Sequence, residues 1–288
     1  MKKALSIGGI LVIIGAIMVA VGFFSHPQPF HPFDEEIFNH VNKQTLTKQH
    51  FDRVKVTAAS ADVKVRQGDH YGAYYYGKKH AALQTTVKDG QLIVSQTTAV
   101  KTKHFSVSWS DDSNDQIVIT VPKNKQVRDL TIKGNDDVTL KDTRFARVHV
   151  KTHGGDVTVN NSKIKGGTID SASGDIRSAN SRLTATKLNS ASGDTDLYKV
   201  TVNGGQADLS SGDFTARKLT VNGHYLVNNQ DGDNEAHALN DPGVILTSDD
   251  GNVSLGHQEK DDGGTLERNT DNPNLIRMIT QDGDNSFD

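Results

Sequence analysis

Polar residues of one kind recur through the second half of the chain at a fixed interval: Asp137, Asp156, Asp175, Asp194, Asp213, Asp233 and finally Asn252. The steps between them are 19, 19, 19, 19, 20 and 19 residues. A glycine stands before most of them: Gly155, Gly174, Gly193, Gly212, Gly232 and Gly251. Carboxylates in such a column have three chemistries open to them. They can chelate calcium, a hard cation that takes six or more oxygens. They can supply the acid and base of a sugar-cleaving site, which requires convergent carboxyls in a cleft. Or they can accept backbone N–H bonds in Asx-type turns beside a glycine of positive φ.

The third reading fits the sequence best. Stacked about 4.8 Å apart, the carboxylates repel by about 0.9 kcal/mol per neighbour in water, and by more near the protein surface. Charge-assisted bonds of about 1.5–3 kcal/mol each offset that. Calcium is the alternative for Asp137, Asp156, Asp175, Asp194, Asp213 and Asp233, but the chain offers about one acid per repeat, with extras such as Asp196 and Asp231. Asp111-Asp112-Ser113-Asn114-Asp115 begins like an EF-hand loop, yet Gln116 stands where the turn glycine belongs and no helices flank it.

Nucleophilic chemistry finds little support. Ser173, Ser192 and Ser211 form a column without a histidine column beside it. The 12 histidines show no His-Glu-x-x-His spacing, and His149 and His153 stand singly on a strand and its corner. No phosphate loop, dinucleotide fingerprint or Gly-x-Ser-x-Gly elbow appears. The expectation is no catalytic residue, no resident metal and no cofactor.

The elements that must carry these residues follow from the same period. One position after the key residue stand Val138, Val157, Ile176 and Phe214, interrupted by Thr195 and Asn234. Eight positions after it stand Phe145, Ile164, Leu183, Val202 and Val221; thirteen after it, Val150, Ile169, Leu188, Ala207, Leu226 and Leu246. Apolar residues alternate along each row, the signal of a strand, and no segment shows a 3.6-residue period. A repeat of about 20 residues signals a stacked architecture. The fold class is therefore all-β: a parallel β-solenoid with coils of 19 residues over 134–256. No coil buries its own apolar face, so neighbours supply both ladder bonds and core.

Composition agrees. Of 288 residues 34% are hydrophobic and 26 are glycine, as a thin core with tight corners requires. Net charge is −3, which indicates no basic surface for nucleic acid. Cysteine is absent, so disulfides and thiolate metal sites are excluded.

The rest of the chain divides around the coils. Residues 1–24 hold Lys2, Lys3 and an uncharged apolar run over 4–24. As a helix that run spans about 31 Å, the thickness of bilayer hydrocarbon, with the lysines in the cytoplasm and the remainder outside. A cleaved signal peptide is the rival reading. Residues 25–49, with Pro27, Pro29 and Pro32, read as a spacer. Residues 50–133 read as less regular strands that cap the first coil, with Asp89-Gly90 closing a hairpin and Trp109 and Tyr74-Tyr75-Tyr76 packed inside. Residues 257–288 read as a loop and a final coil, because Asp282-Gly283-Asp284 repeats the row-start motif.

The apolar run, the Pro-containing spacer, Ile117-Val118-Ile119-Thr120-Val121-Pro122 and the serial Ser173-Gly174-Asp175, Ser192-Gly193-Asp194 and Ser211-Gly212-Asp213 rows are similar to a bacterial family. It is the LiaG-like "putative adhesin" β-strand-repeat family, a domain of unknown function. The resemblance covers residues 50–288 and departs at Asp136, where the glycine is missing, and at Asp241-Pro242. It implies an extracytoplasmic β-solenoid at the envelope of Gram-positive bacteria, with no catalytic residues. The expected function is a membrane-anchored, non-catalytic module, adhesin-like or stress-related, held by residues 4–24. Its expected partner is a cell-wall polymer or another envelope protein. A calcium-dependent scaffold and a carbohydrate-active β-helix enzyme are the alternatives.

Overall fold

A computed structural model describes residues 42–77, 83–97 and 115–288. The expected membrane run over 4–24, the first part of the spacer, and Trp109 lie outside the described residues. Among the described residues every regular element is a strand, from Asn42–Thr47 to Asn285–Phe287.

Two sheets share one hydrophobic core, and in both the strands lie parallel at the interval seen in the sequence. In the first sheet Val138–Lys141, Val157–Asn160, Ile176–Ala179 and Thr195–Tyr198 stack in order, Val157 opposite Val138 and Ile176 opposite Val157. In the second, Arg144–Thr152 lies between Gln126–Gly134 and the pair Lys163–Ile164 and Gly167–Ser171, with Ile169 opposite Val150 and Leu188 opposite Ile169. Each coil contributes a strand to either sheet. Val138, Val157, Ile176 and Phe214 are buried from one side and Phe145, Ile164, Leu183 and Val202 from the other. Each such side chain contributes roughly 1.5–3 kcal/mol on leaving water.

Two expected columns need correction. Thr195 and Asn234, which interrupt the apolar column by type, keep their inward positions and are 0% and 1% exposed. Leu226 yields its place to Val227, which pairs with Ala207, and Tyr225 is buried beside it. The cause is a bulge between Asn203 and Gly205, where the opposing strand carries one residue more. That residue is the origin of the single 20-residue step.

The ends depart further from simple succession. The coil formed by Gly243–Asp250 and Val253–Leu255 does not stack on the coil before it in sequence. Leu275–Asp282 inserts between Phe214–Asp231 and Gly243–Asp250, and Asn285–Phe287 inserts between Asn234–Ala238 and Val253–Leu255. Asp233 and Asn252, successive members of the sequence column, are therefore not neighbours in the stack; the final coil lies between them. The other end mirrors this. Arg53–Ala58 pairs with both Gln126–Gly134 and Gln91–Gln96, and Ala61–Gly68 with both Val138–Lys141 and Asp115–Pro122. The first coil too sits one tier inside the end.

Antiparallel strands cover the outermost tiers. Leu83–Lys88 returns on Gln91–Gln96 through Asp89 (φ 51°) and Gly90 (φ 74°), the hairpin expected of Asp-Gly. Gly72–Gly77 covers Asp115–Pro122, and Asn42–Thr47, in the expected spacer, covers Gly72–Gly77. Tyr75 packs inward there, 2% exposed, while Lys43 lies over the ring of Tyr74 at 4.6 Å. At the opposite end Gln258–Lys260 and Gly264–Arg268 perform the same task.

Candidate functional site

The aspartate column is a hydrogen-bonded ladder that runs between tiers. The backbone N–H of Asp156 donates to Oδ1 of Asp137 at 2.8 Å, that of Asp175 to Asp156 at 2.9 Å, and that of Asp194 to Asp175 at 2.8 Å. Asp213 and Asp233 continue it at 2.9 and 3.0 Å. Asp284 then donates to Asp233 at 2.8 Å, and Asn252 donates to Asp284 at 2.7 Å. At the other end Asp137 donates to Asp62 at 3.3 Å. The main chain seals each junction: Val138, Val157 and Ile176 donate to the carbonyls of Asp156, Asp175 and Asp194, each at 2.8 Å. Asp62 and Asp284 are ladder members that the sequence column lacks.

The expected local Asx turn is thus replaced by a bond to the next coil. The role expected of glycine changes with it. Gly155, Gly174 and Gly193 do not carry positive φ. A Cβ on Gly174 would stand 2.3 Å from the carbonyl oxygen of Gly155, and one on Gly193 would stand 2.3 Å from that of Gly174. Gly251 meets the Gly283 oxygen at 2.1 Å in the same way. Glycine is required because successive corners press together. Gly212 (φ 109°) and Gly232 (φ 150°) have a positive φ as well.

Beneath the corner runs a buried polar column. The hydroxyls of Thr152, Ser171 and Ser190 donate to the carbonyls of Gly155, Gly174 and Gly193 at 2.8, 2.6 and 2.6 Å. Asn229, Thr280 and Ser248 do the same for Gly212, Gly232 and Gly283. Each satisfies a carbonyl that no strand reaches. The expected serine column, Ser173, Ser192 and Ser211, is exposed two residues further on. The sequence signal was a hydroxyl three residues before the glycine.

Charge is compensated unevenly along the ladder. Arg177 bonds Oδ2 of both Asp156 and Asp175 and lies 3.7 Å from Asp196. Burial pulls the Arg177 guanidinium down, and these carboxylates more than offset that. Among the described residues no cation lies within ion-pair distance of Asp62. Burial first, then the charge of Asp137, push its carboxyl up to about 6. Asp136 is raised for the same two reasons. Among the described residues no group of three or more His, Asp or Glu side chains is placed to hold a metal. His149 is exposed and bonds Thr168 at 3.2 Å; His153 is exposed on the corner.

The other end of the same short strands has corners of a different kind. Asp142, Asn161, Asn180, Lys199 and Lys218 hold left-handed φ of 49–57° in successive tiers. Asn and Asp tolerate that conformation best. Thr143, Ser162 and Ser181 follow the first three, buried, with Ser162 and Ser181 donating to Asn160 and Ala179 at 2.9 and 2.7 Å. A cleft of about 400 Å³ opens at the start of this corner, between Lys123, Lys125, Arg144 and Lys163.

These features define a class: an all-β protein of stacked parallel coils whose periodic acids bind the neighbouring backbone. The chain belongs to the Toastrack DUF4097 family, whose pattern matches residues 51–286. It is similar in structure to a "putative adhesin" from Bacteroides fragilis, at 15% identity and a TM-score of 0.54 over 86% of this chain and 96% of that one. A "putative lipid binding protein" from Parabacteroides distasonis matches at 12% identity and 0.47, over 86% and 97%. A "putative adhesin" from Parabacteroides merdae matches at 10% identity and 0.47, over 86% and 96%. No curated protein matches the sequence. At such identities the likeness to the first concerns the fold.

Proposed function

We propose that this chain is a membrane-anchored, outward-facing β-solenoid of the LiaG-like kind that acts by binding at the cell envelope and performs no catalysis. One observation carries the reading. Each ladder carboxylate is occupied by the N–H of the next tier, so the periodic array of acids is spent on the stack. What remains for work is the length of the polar outer faces, and stacked-repeat proteins commonly bind through such extended surfaces. The apolar run over 4–24 supports the anchor, since it is long enough to cross a bilayer once. The adhesin-like relative supports the class of activity. A wall polymer or another envelope protein is the partner class.

The test is made on intact bacterial cells carrying the full-length protein with a C-terminal epitope. The expected result is that antibody and protease reach the epitope from outside, and that the protein stays with membranes after a high-salt wash. A protected epitope, or recovery in the soluble fraction, would refute the placement. Turnover on wall glycans would refute the absence of catalysis.

A further inference from the structure

The net charge of −3 conceals a division of charge across the stack. At one end of the short strands stand the ladder acids. At the other stands a row of cations. Arg144, Lys163 and Arg182 are direct partners in three successive tiers, so they recur about every 4.8 Å. Lys199 and Lys218 continue the row at the left-handed corner of the next two tiers. Lys123 and Lys125 begin it, at the turn that Lys125 closes on Pro122.

These cations are exposed. Among the described residues no carboxylate lies within ion-pair distance of Arg144, Lys163, Arg182, Lys199 or Lys218, whereas Arg177, Lys187 and Arg147 on the outer faces are paired. The acid at this corner, Asp142, accepts a bond from the side-chain amide of Asn161. A folded surface ordinarily intersperses both signs, so a single-sign row is a field that attracts opposite charge. Tyr198 registers that field. It is 41% exposed, with the ammonium groups of Lys199 and Lys218 at 5.2 and 5.6 Å from its ring. Its phenol is pulled below the usual range, chiefly by the charge of Lys199.

We infer that this corner is a binding rail for a linear, phosphate-bearing polyanion, which lies along the stack with one or more anions per tier and enters at the cleft between Lys123, Lys125, Arg144 and Lys163. The inference rests on the reading of the protein as a binding module and names the chemistry of its partner. A row of single cations over several tiers matches a chain of charges better than it matches one small anion. A bilayer surface is a poorer fit, because the large exposed apolar side chains among the described residues are Ile93, Tyr198 and Leu239, and of these only Tyr198 lies on the row. Arginine forks at Arg144 and Arg182 favour phosphate, which they can grip through two N–H bonds. Binding a linear polyanion releases its condensed counterions, so affinity must fall steeply with salt.

The test measures binding of the full-length protein to long-chain inorganic polyphosphate across a salt series. The expected result is saturable binding that orthophosphate displaces poorly. The triple variant Arg144→Gln, Lys163→Gln, Arg182→Gln should bind at least about tenfold more weakly, with a salt slope smaller by about two to three. A charge-matched control, Lys133→Gln, Lys151→Gln, Arg277→Gln on the outer face of the second sheet, should bind as the parent does. Lys199→Gln with Lys218→Gln should give an intermediate loss, which keeps the test decisive if the triple variant folds poorly. The rail is refuted if the triple variant binds like the parent, if the control loses as much, or if orthophosphate competes as well as the polymer. Preference for anionic phosphatidylglycerol vesicles over polyphosphate would also refute it, in favour of a membrane surface. Equal affinity for polyglutamate would refute the phosphate assignment. Failure here leaves surface display on intact cells untouched, and failure of display leaves polyphosphate binding untouched.

Discussion

The middle of the stack and its two ends hold their tiers in different ways. From 138 to 231 each tier makes the same two bonds to the next, an aspartate N–H to a carboxylate and a main-chain N–H to an aspartate carbonyl, while Thr152, Ser171 and Ser190 each cap a glycine carbonyl of their own tier. Stability there is a sum of nearly identical interfaces. At the ends repetition stops and topology takes over. The coils at 53–68 and 275–287 are each clamped between two others, and antiparallel strands cover the tiers outside them. A middle tier is replaceable in kind, whereas an end tier is held by its place in the chain.

The largest break in this comparison is removal of residues 275–288. It deletes an interior tier and strips partners from Tyr225, Val227, Val244 and Leu246. With Ile276, Met278 and Phe287 lost from the core, the expected cost is about 5 kcal/mol or more, read by chemical denaturation. A loss near zero would mean that the flanking tiers close on each other. Next in size is Gly174→Ala, which forces a methyl against the backbone of Gly155 and should cost about 3 kcal/mol. Gly256→Ala, in the end loop, meets nothing within 4 Å and suffers only the strain of φ 61°, about 1 kcal/mol. Equal losses for the two would erase the difference between middle and end.

Charge separates the regions further. Arg177→Gln should destabilise the middle by about 1 kcal/mol at low salt, and less as salt rises, because its carboxylate partners are partly exposed. Asp62 marks the other case. Between 3.8 and about 6 the folded chain holds a proton there that the unfolded chain has released. Stability therefore falls as pH rises through that window, and the deficit persists in full above it. Asp62→Asn keeps an acceptor for Asp137 and removes the charge. It should stabilise the protein at pH 7 by about 1 kcal/mol after discounting for exposure, flatten the slope from pH 4 to 6, and change nothing below pH 4. Last, millimolar calcium should leave Tm where it is; a rise of several degrees would restore the calcium reading of Asp137, Asp156 and Asp175.

The tier interval was legible because Gly-Asp marks most corners of the ladder and the glycine is sterically required there. The order of tiers past Asp233 was not. Asp282-Gly283-Asp284 is visible as a row start, but a polar loop and a hairpin separate it from its true neighbours, and one row start resembles another. Thr152, Ser171 and Ser190 escaped notice because hydroxyls are exposed by default, and only a glycine carbonyl within reach justifies burying them. The cationic corner escaped because total charge averages two opposed edges. Its members become neighbours only once the 19-residue coil is closed.

The insertion of 275–287 between older neighbours also fixes an order of events during synthesis. Residues 243–255 leave the ribosome before the strands that come to lie beneath them. Until those strands arrive, the outer coil has no parallel partner below and two sheet edges stand open. A nascent chain must keep that slot vacant, or part again a contact made too early, before this end of the molecule can close.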